Sequence, residues 1–571
     1  MSALAERREI RAVVLAVALG IHWALLVPYF QGNFNDFDAR HLYLPLAERL
    51  LDQGLAFFAT EASLQAPPFA YAFPALLGAS FGVVRAVDVA LSGVTLLLLY
   101  GAAASAHSRL AGLAAAAAFA CCPLLKPYLA APITEPPFLL LHAAWIWALA
   151  RWVGGGPSWL AILAGIAAGL SVLTRATSFY WLVALAGLFF VLWMRAPAAE
   201  RRRMGAPLVG HAAGLALPLA FIAKNWLLFA FPFFATGAGN ALYLGNNPAT
   251  GGLDPTYVGL IYDVGAIARD QSHLTLEAER LLRRVAAFMV AEQGVSELLR
   301  LHAAKLAAFV FVSNAEADVP LQRGWRVALV ILAGLGLVSL RSRLLMGLIG
   351  GTIAYNVLVH VPVLTTLRYS VGALDLWLIL LAGIGLARLF EPGSARAVKA
   401  TIGVLAIGWA IGWWVHRYGG DPEPDAYAVA RITIWRGEPT ERRLEGIDAA
   451  VELAIRDAPK LESLRNTVLV LDARLDSPKG PCAPLRIAFR REGAAFGPAR
   501  EWRLAADGRT HRHQLGWMKL GLDREGVVRL STTCPTGATL HIEKAALVAP
   551  LGSIDFRERL LGEKPMFPLE R

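Results

Sequence analysis

Apolar runs of about 17–22 residues recur along the chain, each long enough to cross roughly 30 Å of hydrocarbon. They fall near 11–30, 83–104, 109–128, 133–151, 158–174, 177–194, 207–222, 325–340, 344–360, 370–388 and 400–416. The pattern predicts a polytopic α-helical membrane protein of about 11 transmembrane helices. Two gaps between runs are long, at 31–82 and 223–324. In the second, Leu276, Leu281, Leu282, Val285 and Phe288 recur at helical spacing opposite Glu277, Glu279, Arg280, Arg283 and Arg284. The stretch 303–313 is apolar but short, and is read as a partial or interfacial helix.

The apolar runs end near Arg417, and residues 420–571 read as a soluble domain. Its acid/base pattern predicts a helix over roughly 438–457. Short alternating runs at Thr467–Leu471, Leu485–Phe489, Val527–Leu530 and Thr539–Ile542 predict a small β-sandwich-like domain. Two parts follow: a membrane domain over 1–419 and a soluble domain over 420–571, with carbohydrate binding through Trp435, Trp502 or Trp517 one use of the latter.

Composition changes this picture little. Of 571 residues, 56% are hydrophobic and 17% charged, and the mean hydropathy is +0.50. Charge placement matters more than the net +11. Arg109, Arg151, Arg195, Arg201–Arg203, Arg341, Arg343, Arg388 and Lys399 fall on one set of loops, while the other set carries Lys126, Arg175 and Arg368. This asymmetry puts the N-terminus in the cytoplasm and, with an odd number of spans, the C-terminal domain outside. No zinc-ligand spacing or nucleic-acid-binding signature accompanies the positive charge, so nucleic acid is excluded as a partner. Cys121 and Cys122 lie in an apolar run. Cys482 and Cys534 lie in the soluble region, where a disulfide between them is expected outside the cytoplasm.

The densest chemistry follows the first span, in Asn35-Asp36-Phe37-Asp38-Ala39-Arg40-His41-Leu42-Tyr43. Two carboxylates stand two residues apart where the chain leaves the membrane. Further along come Pro67-Pro68-Phe69, Thr134-Glu135-Pro136-Pro137-Phe138, Leu173-Thr174-Arg175, Leu242-Tyr243-Leu244-Gly245-Asn246-Asn247-Pro248 and Leu367-Arg368-Tyr369. In order and spacing these pieces resemble the GT-C superfamily of membrane glycosyltransferases. The match is to bacterial relatives of the protein O-mannosyltransferases (family 39) and of the lipid A aminoarabinose transferases.

That resemblance implies an inverting transferase in the bacterial cytoplasmic membrane. It would move a sugar from a polyprenyl-phosphate donor to a lipid, glycan or protein acceptor on the outer side. Asp38 stands nearest the family's catalytic position and is the expected base, with Asp36 positioning or assisting. A cap on the following helix is the alternative for either acid. Arg175 and Arg368 are expected to grip the donor phosphate, with Lys126 and Lys224 as weaker candidates. Glu135 and Tyr43, with Asn246 and Asn247 in the loop, are expected to contact substrate. A turn explains the asparagines equally well. Dependence on a divalent metal stays open, with Glu135 and His41 as its candidate ligands. The competing readings are a lipid or glycan transporter or flippase, and an oligosaccharide transferase with a pyrophosphate-linked donor.

Overall fold

The computed structural model describes residues 7–31, 33, 35–246, 272–292, 295–311, 320–391, 431–455, 468–477, 480, 482–483, 485–491, 500–502, 504, 508–516 and 526–550. The expected span at 400–416, Asn247 and Trp517 lie outside them.

The chain is a helical membrane protein with a C-terminal antiparallel sheet, as its hydropathy predicts. Among the described residues, Arg8–Phe30, Phe81–Ala106, Ala176–Arg195, Ala198–Phe229, Arg343–His360 and Leu367–Leu389 are long and apolar enough to cross a membrane. Arg109–Cys121, Trp159–Thr174 and Gly324–Val338 are shorter apolar helices. Burial separates the centre from the rim. In Leu367–Leu389 94% of the apolar window is buried, against 17% in Arg8–Phe30. A helix apolar on all sides belongs inside a bundle, and this one does.

The chain forms two compact units. One comprises Met1–Ala238, Leu274–Leu276 and Leu306–Gly420; the other comprises Gly239–His273, Glu277–Lys305 and Asp421–Arg571. In the first, Trp145, Trp181 and Trp377 pack edge to face, with ring centroids 4.8 and 5.7 Å from Trp145. Such contacts add to simple apolar burial. Trp159–Thr174 meets Ala198–Phe229 backbone to backbone. A Cβ on Gly165 would lie 2.0 Å from the Gly210 carbonyl carbon, so glycine alone fits this crossing.

The first loop is largely helical. A turn at Asp36–Asp38 runs into a π-helical turn at Ala39–Tyr43 and then the helix Leu44–Gln53; Pro68–Leu76 follows later. Phe57 and Tyr71 are buried beneath it, with ring centroids 5.2 Å apart.

The helix Leu276–Glu292 forms as its periodicity predicts, with Leu276, Leu282 and Val285 buried. Glu279 departs from the expected polar face. It is fully buried because its carboxylate accepts from the Gly239 amide at 2.8 Å and from Arg283 Nε at 2.5 Å. The apolar stretch after residue 300 belongs to the helix Val295–Phe311.

In the C-terminal region the strands are β1 (Arg431–Gly437), β2 (Thr440–Ile455), β3 (Val468–Asp476), β4 (Leu485–Arg491), β5 (Arg500–Trp502), β6 (Thr510–Gly516) and β7 (Gly526–Pro550). They make one seven-stranded sheet ordered β5-β4-β7-β3-β6, with β1 and β2 also on β7. The expected runs at Val527–Leu530 and Thr539–Ile542 are parts of the single long β7.

The helix expected over 438–457 is corrected to β2. Val451, Leu453 and Ile455 alternate with Glu452 and Ala454 and pair with Leu530, Val528 and Gly526 of β7. Burial of Leu444, Val451 and Leu453 against the sheet outweighs the helical charge pattern. Cys482 and Cys534 form the expected disulfide, joining the segment before β4 to β7.

Candidate active site

One arginine gathers the carboxylates. Arg368 lies in the short helix Leu367–Ser370. Its Nη1 donates to Asp38 Oδ2. Its Nε and Nη2 donate to the two oxygens of Glu135, and Nη2 also reaches Tyr43 Oη at 3.3 Å. A planar guanidinium holding one carboxylate with two N–H groups is fixed in orientation as well as charge.

Glu135 opens the helix Glu135–Val153 behind Thr134. Its carboxylate is fully buried and takes a second cation, Arg175 Nη1, at 3.6 Å. Thr134 Oγ1 donates to Glu135 Oε2 at 3.2 Å. Arg175 in turn lies beside the rings of Phe138 and Tyr369, 5.3 and 5.5 Å from their centroids. Two arginines and two acids, drawn from four distant segments, thus form one cluster. Its open side is Asp38, whose side chain is 40% exposed. Burial raises the Tyr43 hydroxyl above the ordinary tyrosine value, so it keeps its proton at neutral pH.

Asp36 faces elsewhere. Its Oδ2 pairs with Arg85 Nη2 at 2.5 Å, and Arg85 Nη1 donates to the Phe30 carbonyl at 2.8 Å. Arg85 opens the second span beside Phe81, whose ring also carries Arg40 at 3.8 Å. The two acids of the first loop therefore serve two separate networks.

The remaining expected residues are dispersed. Lys126 is 2% exposed and points inward, its Nζ 2.8 Å from His22 Nδ1. Nδ1 accepts that bond, so the imidazole proton sits on Nε2 and meets Ser92 Oγ at 2.8 Å. Burial holds the Lys126 ammonium down to about 8. Lys224 Nζ donates to the Phe58 carbonyl at 3.0 Å and to Ser63 Oγ at 3.2 Å, tying the first loop to its helix. Asn246 Nδ2 bonds back to the Leu242 carbonyl at 2.8 Å, the local turn chemistry open to it from sequence. His41 packs against Phe37 with the rings tilted by 41° and their centroids 4.3 Å apart. Among the described residues no three His, Cys, Asp or Glu side chains are grouped to hold a metal ion. Glu135, a candidate ligand, is instead held by Arg368 and Arg175.

Sequence reasoning missed Arg85, Asp88, Arg326 and Asp375, all inside stretches read as spans. An ionisable group there is costly and calls for a partner, and that was their signal. Asp88 is 1% exposed with neither carboxylate oxygen hydrogen-bonded.

Residues 65–227 match the family described as dolichyl-phosphate-mannose-protein mannosyltransferase. No curated protein matches the chain. The solved structures it resembles are distant. A crystal structure of the Archaeoglobus fulgidus oligosaccharyltransferase, tethered to an acceptor peptide, is 16% identical with a TM-score of 0.41. That alignment covers 74% of this chain and 55% of the archaeal one, so this chain spans about half of that relative's length. The arabinosyltransferase EmbB from Mycobacterium smegmatis is 12% identical with a TM-score of 0.25, over 98% of this chain and 68% of that one. The family match bears out the resemblance read from the motifs: this chain is similar to GT-C membrane glycosyltransferases.

Proposed function

We propose that this protein is an inverting glycosyltransferase that takes its sugar from a polyprenyl-phosphate carrier. The acceptor is a lipid, glycan or protein hydroxyl on the outer side of the bacterial cytoplasmic membrane. The membrane part, 1–419, carries the chemistry, and 420–571 lies outside the cytoplasm with it. The observation that carries this reading is the half-exposed Asp38 held beside Arg368 and, through Glu135, Arg175.

Asp38 accepts the proton of the acceptor hydroxyl as that oxygen attacks the anomeric carbon. The bond from sugar to phosphate oxygen breaks on the opposite face, so the configuration inverts. The leaving phosphate takes the bonding pair, and the proton passes from Asp38 to water.

Arg368 is fixed by Glu135 through two of its donors, which leaves the Asp38 side as the side a phosphate can enter. An arriving phosphate oxygen competes with Asp38 for Nη1 and frees the carboxylate to act as base. Arg175 adds a second cation for the charge that grows on the leaving group. Tyr43, with its proton retained, offers a donor to the same oxygens.

The test is transfer of radiolabelled sugar in membranes containing the protein, with polyprenyl monophosphate and polyprenyl diphosphate donors compared. Transfer from the monophosphate supports the reading. Transfer from the diphosphate alone replaces it with the oligosaccharide-transferase reading. Lipid movement without any transfer replaces it with the flippase reading.

A further inference from the structure

Arg326 and Asp375 form an ion pair at 2.8 Å with both side chains fully buried. The transfer chemistry uses neither. Arg326, on the helix Pro320–Val338, has other partners: its Nη1 donates to Ser370 Oγ at 2.9 Å and reaches the Phe309 and Val310 carbonyls at 3.4 and 3.3 Å. Ser370 donates onward to the Phe309 carbonyl at 2.6 Å. Arg326 therefore contacts Ser370, just before the segment Val371–Asp375, and Asp375 at its end.

That segment is a π-helical turn following Leu367–Ser370. A π-turn widens the helix and redirects its backbone bonding. Here the Ala373 carbonyl accepts from Asn356 Nδ2 at 2.9 Å. Both cations of the site depend on this segment. Arg368 stands just before the π-turn. Gly372 within it makes room for Arg175, whose Nη1 would lie 2.2 Å from any Cβ there. The other partner of the exposed ion pair, Asp38, also stands directly before a π-turn, Ala39–Tyr43.

A buried ion pair is weak evidence of added stability, because apolar residues of similar volume often do as well. What the charged pair adds is register. The guanidinium meets Ser370 and Asp375 together only when the segment is wound as it is here. We propose that Arg326 and Asp375 are positioning residues: they fix the winding of Leu367–Asp375 and thereby hold Arg368 and Arg175 on the donor phosphate. This rests on the polyprenyl-phosphate reading above.

The experiment is donor and acceptor kinetics of the full chain in detergent or nanodiscs. Arg326→Met/Asp375→Leu removes both charges at once and leaves neither stranded. The expected result is folded, monodisperse protein whose donor KM rises about tenfold, with kcat at saturating donor and acceptor KM close to wild type. Ser370→Ala keeps the ion pair and removes one contact, and should raise donor KM about two- to threefold. Arg326→Lys keeps the charge without the fork and should fall between wild type and the double variant.

Wild-type donor KM in the folded double variant overturns the positioning role. If the double variant does not fold, wild-type donor KM in Ser370→Ala overturns it instead. A wild-type protein that transfers no sugar from any polyprenyl phosphate overturns the donor reading and this proposal together. The wild-type measurement thus tells the two failures apart.

Discussion

Asp36 and Asp38 stand two residues apart on one loop, yet their surroundings differ in kind. Asp36 is 14% exposed and meets Arg85, which is also bonded to the Phe30 carbonyl. On the same side Asn33 Nδ2 donates to the Pro127 carbonyl at 2.7 Å, beside the buried Lys126. This half of the loop is fastened down. Asp38 is 40% exposed, and the arginine it meets is shared with a fully buried Glu135. A carboxylate tucked against an arginine that is itself anchored to the backbone holds structure, whereas an exposed one on a preorganised cation is open to solvent. The difference comes from which helix end each acid meets, since the peptide between them is a single turn.

If the two networks differ as described, their arginines should differ most. Arg368→Met leaves Glu135 inside the bundle with the longer contact to Arg175 as its cation and the Thr134 hydroxyl as a neutral donor. It should lower stability by about 3–5 kcal/mol, as breaking a buried pair does. Arg85→Met leaves an acid near solvent and should cost about 1–2 kcal/mol. Thermal unfolding of the two variants in one detergent checks the order, and equal losses would erase the distinction.

The Asp36 side makes a second prediction through pH. Lys126 is held down to about 8 by burial, below the ordinary lysine value of 10.5. Between these values the unfolded chain binds the proton and the folded chain does not. Stability should therefore rise as pH increases from about 8 to 10.5, by on the order of 3 kcal/mol. Below pH 8 both states are charged and the burial cost is present in full. Unfolding temperatures across this range should show the rise in wild type, and in Lys126→Met the rise should be smaller by about that amount.

The smallest predicted effect sharpens the Asp38 side. A Cβ at Gly372 meets the mobile end of Arg175 rather than backbone, so Gly372→Ala should fold normally and push that guanidinium aside. Donor KM should increase about threefold with stability unchanged, as expected for a displaced but not deleted cation. Steady-state kinetics at fixed acceptor measure it.

Much of this was legible in the sequence. Apolar runs located the six long apolar helices among the described residues, because hydrocarbon thickness sets their length. The positions of Asp38, Glu135, Arg175 and Arg368 were marked by motifs, and all four meet in one cluster. Their pairing was not legible, since it depends on helices far apart in sequence packing side by side. Lys126 looked like an outer-face cation by position alone, but its side chain turns inward to His22.

β2 was misread because Thr440–Ile455 carries charges at helical spacing, while the apolar alternation that makes it a strand is confined to its second half. Arg326 and Asp375 were hidden by averaging: one charge in a long apolar window barely lowers its hydropathy, although it is the residue whose burial most needs explaining.

The measurement that decides most is kcat for sugar transfer in Asp38→Asn and Asp36→Asn at matched expression. Loss of a general base should lower kcat about 10²- to 10⁴-fold in Asp38→Asn, while Asp36→Asn stays within about tenfold of wild type. Equal activity in the two variants, or a greater loss in Asp36→Asn, would contradict the assignment of Asp38 as the base.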